Sequence, residues 1–183
     1  MKIIDTEIED VKIIEPTVYG DHRGFFCESW NQRDFDAALD GTIQFVQDNH
    51  SRSQQNILRG LHYQTSNVQG KLVRVTRGEV YDVAVDMRQS SKTLGKWVGV
   101  FLSEENQRQF WIPPGFAHGF LVTRGPADFL YKSTDYYNSE AECAVRWNDI
   151  EINISWPLSA ETHPILSDRD RGAQSFSDSP KIQ

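Results

Sequence analysis

His62, in the run LRGLHYQ, and His118, in WIPPGFAHGF, carry ring nitrogens of the kind that take up and release protons near neutral pH. Period-2 alternation in the first run puts Leu58, Gly60, His62 and Gln64 on one strand face, and the missing side chain of Gly60 leaves room there for a ligand. Histidine works best as a general base when a carboxylate holds its second nitrogen. Asp82, Asp86, Asp168 and Asp170 are the candidate partners, and the sequence alone does not rank them. Tyr131 alternates with Phe129, Ser133 and Asp135, so its hydroxyl can point inward as a general acid, although a packed core tyrosine is the commoner outcome. Lys71 follows Gly70 at the start of a strand, where most lysines are solvated.

A metal centre is the competing chemistry. Pro113, Gly115 and His118 form a Pro-x-Gly-x-x-His pattern that resembles the second motif of the cupin superfamily, many of whose members bind a metal. The usual first cupin motif supplies His-x-His followed by a Glu. Here His62-Tyr63-Gln64 stands instead, and no Glu occurs between Asp48 and Glu79. An amide is a poor ligand for a transition metal, so neither a metal nor another cofactor is expected.

Charge narrows the ligand. The chain of 183 residues has a formal charge of -7, which excludes a general nucleic-acid binder or a polybasic membrane-surface protein. The balance is uneven. The window from His50 to Gly78 holds Arg52, Arg59, Lys71, Arg74 and Arg77 and no acid, a local +5 that leaves -12 for the rest. Cations beside His62 and the amides of Gln47, Asn49, Gln64 and Gln69 suit one small phosphorylated molecule better than a long polyanion. Cys27 and Cys143 lie far apart with no second thiol nearby, which favours a reducing compartment. Acids interrupt every apolar run of the N-terminal segment, and no stretch approaches ~18 consecutive apolar residues, so the protein reads as cytoplasmic and free of membrane spans.

The elements that must position these side chains are strands. Short runs rich in Val, Ile, Phe and Tyr recur between turn signals at 11–14, 25–30, 71–76, 80–86, 97–102, 109–112, 119–122, 129–134 and 143–147. About nine strands at this spacing predict a single all-β domain over residues 1–183, a double-sheet jelly roll whose mouth can hold a ligand. One helix is expected over 31–39, with Phe35, Ala38 and Leu39 on one face and Gly41 to end it, and Ser103 can cap a short turn. Past about Gly172 the polar sequence predicts a loosely held tail.

The segments GDHRGFFCESW, FVQDNHSRS, LRGLHYQ, QGKLVRVTRGEVYDVAVDMR, WIPPGFAHGF, YKSTDYY and VRWND, in this order between Pro16 and Asp170, resemble the dTDP-4-dehydrorhamnose 3,5-epimerase family of metal-independent cupins. The resemblance implies a double-stranded β-helix and epimerisation of a dTDP-sugar at carbons 3 and 5, next to its carbon-4 ketone. It implies that His62 is the base, Tyr131 the acid on the opposite face, Lys71 the cation at the enolate oxygen and Asp170 the carboxylate that orients His62. Arg23, Glu28, Gln47, Asp48, Asn49, Arg59, His118 and Glu142 match positions that contact the nucleotide-sugar, and Arg169 stands where the family usually has Lys. It also implies a homodimer in which an N-terminal segment completes the partner's site, so that Arg23 and Glu28 act across the interface. The same residues would serve a mono-epimerase, which is the nearest alternative. A metal-dependent cupin oxygenase and a non-catalytic sugar-nucleotide binding module are the more distant ones.

Overall fold

The structure is a computed structural model that describes residues 1–39, 41–159 and 161–183. In chain order the elements are β1 (Lys2–Asp5), β2 (Lys12–Glu15), β3 (Val18–Asp21), β4 (Gly24–Cys27), α1 (Gln32–Ala38), β5 (Gln47–Ser53), β6 (Leu58–Gln64), β7 (Lys71–Asp86), β8 (Trp97–Ser103), β9 (Gln109–Ile112), β10 (Phe116–Ser133), β11 (Glu142–Ala144) and α2 (Asp168–Arg171).

The strands β7 and β10 organise the fold. They pair antiparallel from Ser133 opposite Lys71 to Phe116 opposite Asp86, and their register shifts between Val122 and Phe129. Opposite that break Gly78 has φ 74°, and a Cβ there would stand 2.5 Å from the Arg124 carbonyl, so only glycine lets the two chains approach this closely. The break divides each long strand into halves. The first half of β7 pairs with β9 and with the second half of β10, which also pairs with β5. The second half of β7 pairs with β8 and with the first half of β10, which pairs with β6, and β6 pairs with β11.

The inward faces of the two halves share one core, in which Val73, Val75 and Phe129 meet Val80, Ala84, Val100 and Phe120. This is the expected jelly roll, but its strands differ from the expected runs, since β1, β3 and β5 lie outside all of them. The runs at 71–76 and 80–86 belong to one strand, as do those at 119–122 and 129–134. Turn signals between them mark bends at which the sheet curls without reversing the chain.

On the outer face of one half, α1 seals a second core. Asn31 caps it by accepting from the Asp34 amide at 3.3 Å, and fully buried Phe35 meets Trp111 edge-on at 5.5 Å. Ser103 caps the short turn that follows β8 by accepting from the amides of Glu105 and Asn106. The β3–β4 hairpin forms a separate two-stranded sheet that leaves Tyr19, Phe25 and Phe26 exposed.

The segment after Gly172 is not loose. Gln174 bridges Val145, Ile182 bridges Arg88, and the Tyr63 hydroxyl donates to the Pro180 carbonyl at 2.6 Å. Ala173, Ser179 and Ile182 are buried. The correction has a clear cause: a few apolar residues spaced through a polar stretch suffice to dock a strap when backbone groups on the barrel remain to be paired. Among the described residues no helix is long and apolar enough to cross a membrane.

Candidate active site

A cavity of about 300 Å³ opens between the two halves of the sheet, lined by His62, Arg59, Lys71, His118, Tyr131 and Glu142 among others. The curl of β7 and β10 brings these side chains together. Lys71 comes from the first half of β7 and Tyr131 from the second half of β10, whereas His118 sits on the first half of β10, directly opposite His62 of β6. The two histidines are cross-strand neighbours on one wall, and the tyrosine belongs to the other.

Each of the four candidate carboxylates has its own partner. Asp170 takes His62, with Nε2 to Oδ1 at 2.6 Å. Asp82 takes His118 Nε2 at 3.0 and 3.1 Å. Asp86 binds Arg88, Ser91 and Thr93, and Asp168 binds Arg171. Burial pushes Asp170 up, but His62, the Ser167 hydroxyl and the Gly60 amide outweigh it, and the carboxyl falls below the ordinary range. The helix α2 holds it there: Ser167 caps the first turn and donates to Oδ2 at 2.9 Å, while bridges Ile57–Ile165 and Val145–Gln174 pin the chain on both sides. With Nε2 engaged, His62 is left with Nδ1 for the cavity.

Alternation along β6 differs from the expected single face. Arg59 and His62 both line the cavity although an odd number of positions separates them, and Leu58 lies in the core. The phase changes at Gly60, with φ 118°, beside the register shift between His118 and Phe120. A Cβ on Gly60 would lie 2.6 Å from both Gly119 Cα and the His118 carbonyl oxygen. Its missing side chain therefore admits the neighbouring strand and leaves no room for a ligand.

The remaining chemistry is electrostatic. Lys71 is half-buried and has no hydrogen-bonding partner among the described residues; burial lowers its pKa to about 8, against the opposing pull of Glu142 and Asp82. Tyr131 is pushed above the ordinary tyrosine value by burial and by Glu142, so it keeps its proton. Arg59 bonds Ser53 at 3.0 Å and has no carboxylate partner among the described residues. Of the five cations in the basic window, Arg59 and Lys71 reach the cavity. Arg52 pairs with Asp128, Arg74 lies on the outer face of the sheet, and Arg77 is exposed.

The binding candidates divide. Asn49 lines the cavity with Nδ2 buried and unpartnered among the described residues. Gln47 stands behind it and braces Asn49 and the Tyr137 amide. Glu142 accepts from the Tyr137 hydroxyl at 2.6 Å and from Arg169, so the guanidinium at that position serves the cavity rim through Glu142. Asp48 points to the outer face, where it pairs with Lys132. Arg23 is an exposed turn residue bound to Asp21, and Glu28 lies beside Trp30 and Phe35; neither joins His62 within one chain. Sequence reasoning missed Tyr137, an exposed loop aromatic inside the quoted YKSTDYY run, and missed that Asp82 serves the second histidine. Among the described residues no three His, Cys, Asp or Glu side chains converge to hold a metal ion.

Known proteins resemble the whole chain. The family model described as dTDP-4-dehydrorhamnose 3,5-epimerase matches residues 5–178. A dTDP-4-dehydrorhamnose 3,5-epimerase of Pseudomonas aeruginosa is 56% identical, over 97% of this chain and 97% of that protein. The crystal structure of a dTDP-6-deoxy-D-glucose-3,5-epimerase from Legionella pneumophila, in complex with dTDP-4-keto-L-rhamnose, superposes with a TM-score of 0.94 at 52% identity, covering 100% of this chain and 98% of that one. A 3'-monoepimerase from Streptomyces bikiniensis in complex with dTDP-quinovose gives a TM-score of 0.88 at 30% identity, covering 94% of this chain and 87% of that one.

Proposed function

The chain belongs to the dTDP-4-dehydrorhamnose 3,5-epimerase family, and from that premise we propose that it converts dTDP-4-keto-6-deoxy-D-glucose to dTDP-4-keto-L-rhamnose. The observation that carries this reading is the pairing of a carboxylate-held base with an acid on the facing wall. Inversion at carbon requires a proton to leave one face and another to arrive at the opposite face, and His62 and Tyr131 stand on different halves of the sheet.

The carbon-4 ketone acidifies the C–H bonds at carbons 3 and 5. His62 Nδ1 accepts each proton in turn, and Asp170 holds the imidazolium that results. The electrons move into the ketone to give an enolate, whose oxygen meets the Lys71 ammonium in a site where burial strengthens the attraction. Tyr131 delivers a proton to the opposite face at carbon 5, while solvent supplies the proton that carbon 3 takes up on its opposite face, accepts those that His62 releases and reprotonates the tyrosinate. Arg59 can grip a diphosphate oxygen pair with its planar fork.

The working form is a homodimer in this reading, because the apolar hairpin and its Arg23 and Glu28 have no counterpart in their own subunit's cavity. Two free thiols, Cys27 and Cys143, suit the reducing cytoplasm. The test is product analysis by NMR after turnover of dTDP-4-keto-6-deoxyglucose in deuterated water. Deuterium at both carbons 3 and 5 supports the double epimerase; label at one carbon assigns the chain to mono-epimerisation.

A further inference from the structure

Asp82 is a fully buried carboxylate with no role in the reaction as set out above. It lies on β7 inside the barrel, on the same inward face as Ala84, and both its oxygens lie near a single group, His118 Nε2, at 3.1 and 3.0 Å. The His118 ring is itself buried and is clamped from the side by Phe129, whose ring is stacked 26° from parallel at 5.8 Å. His118 nevertheless lines the cavity, and Nδ1 is the ring nitrogen without a protein partner among the described residues.

A neutral imidazole carries one proton, and the nitrogen that bears it follows from the hydrogen bond its neighbour makes. A carboxylate only accepts. We propose that Asp82 is a positioning residue: it takes the Nε2–H of His118 and so presents Nδ1 to the cavity as a fixed hydrogen-bond acceptor for a hydroxyl of the bound sugar. The inference rests on the sugar-nucleotide reading for its ligand, but not for its geometry. Desolvation supplies the reason for the arrangement, since a carboxylate this deep must be paired; burial holds Asp82 above the ordinary carboxylate range, and His118 and the Lys71 charge oppose that rise without cancelling it.

Asp82→Asn separates position from packing. The isosteric amide can donate to Nε2, which moves the proton to Nδ1 and turns the acceptor in the cavity into a donor. The expected result is a loss of about ten- to a hundredfold in kcat/KM, the cost of one mismatched buried hydrogen bond, with unchanged circular dichroism and deuterium still entering both sugar carbons. Histidine-selective 15N NMR, with the His118 signals assigned by their loss in His118→Gln, reads the tautomer directly. The untouched protein should show a protonated Nε2 and a bare Nδ1, and Asp82→Asn should show the reverse.

A protonated Nδ1 in the untouched protein overturns the proposal, whether or not the variant folds. So does a variant with the inverted tautomer and unchanged kcat/KM. Failure of the untouched protein to turn over the keto-sugar would instead overturn the functional reading, while the tautomer measurement would still stand for or against Asp82.

Discussion

The two His–Asp pairs are neighbours on one sheet and yet are built differently. His118 and Asp82 both belong to strands of the barrel wall, and their side chains are 9% and 0% exposed. His62 shares the wall, but Asp170 arrives from a four-residue helix on the C-terminal strap, and the His62 side chain is 29% exposed. A base that must release its proton benefits from access and from a carboxylate that holds it by one oxygen. A ring whose proton is to stay in place benefits from burial and from strands that cannot move. In the proposed reaction the same pair of residue types does two jobs, and the element that carries the aspartate separates them.

Asp170→Asn should break this division most severely. It leaves the ring in place with the wrong nitrogen protonated, and kcat should fall on the order of 10³-fold with little change in KM. The loss should exceed that of Asp82→Asn; equal losses would erase the distinction between the pairs.

Tyr131→Phe comes next. Inversion at carbon 5 should slow by about 10²-fold while exchange at carbon 3 continues, measured by deuterium at each carbon; an unchanged rate would demote Tyr131 to a packed wall residue.

Lys71 lies in the field of Asp82 and Glu142, and its pKa of about 8 makes a pH prediction. In the proposed mechanism the enolate needs the cation, so kcat/KM should fall as pH rises through about 8. In Lys71→Arg the charge persists, and the alkaline limb should vanish at a cost of about tenfold in rate at neutral pH. A limb that stays in place belongs to another group. Stability moves in the opposite sense. A lysine held below its ordinary 10.5 disfavours the folded state while it is charged, and that penalty is released as pH rises from about 8 to 10.5, a rise that Lys71→Met should lack.

Much of this was legible in the sequence, and the exceptions share a cause. Strand spacing predicts the jelly roll, the shared face of Phe35, Ala38 and Leu39 predicts α1, and alternation places Tyr131 on an inward face. What one strand cannot encode is its partner. Four aspartates were open as the partner of His62, because the choice depends on a strap folding back past β6 and on β7 crossing beneath His118. The polar strand β5 escaped because its inward residues are amides, not apolar side chains. The phase change at Gly60 is likewise a property of two strands, since it is Gly119 of β10 that occupies the vacant space. Asp48, expected beside Gln47 and Asn49, must face away from them for the reason that strands alternate.

The smallest effect concerns the strap. Tyr63→Phe removes the hydroxyl bound to Pro180 and leaves that carbonyl unpaired, which should lower stability by about 1–2 kcal/mol and Tm by a few degrees. Because the strap carries Asp170 and not Asp82, a modest decline in kcat should accompany it with the His118 tautomer unchanged. A disturbed His118 signal would show that the two pairs are not independent.

The division between the histidines is tested most directly by proton exchange. Single-site variants His62→Ala and His118→Ala, incubated with dTDP-4-keto-6-deoxyglucose in deuterated water, are followed by NMR at carbons 3 and 5. Exchange at both carbons should disappear in His62→Ala and persist, slowed by weaker binding, in His118→Ala. Exchange that survives the loss of His62 and fails with the loss of His118 would mean that the buried pair, and not the strap-borne one, holds the base.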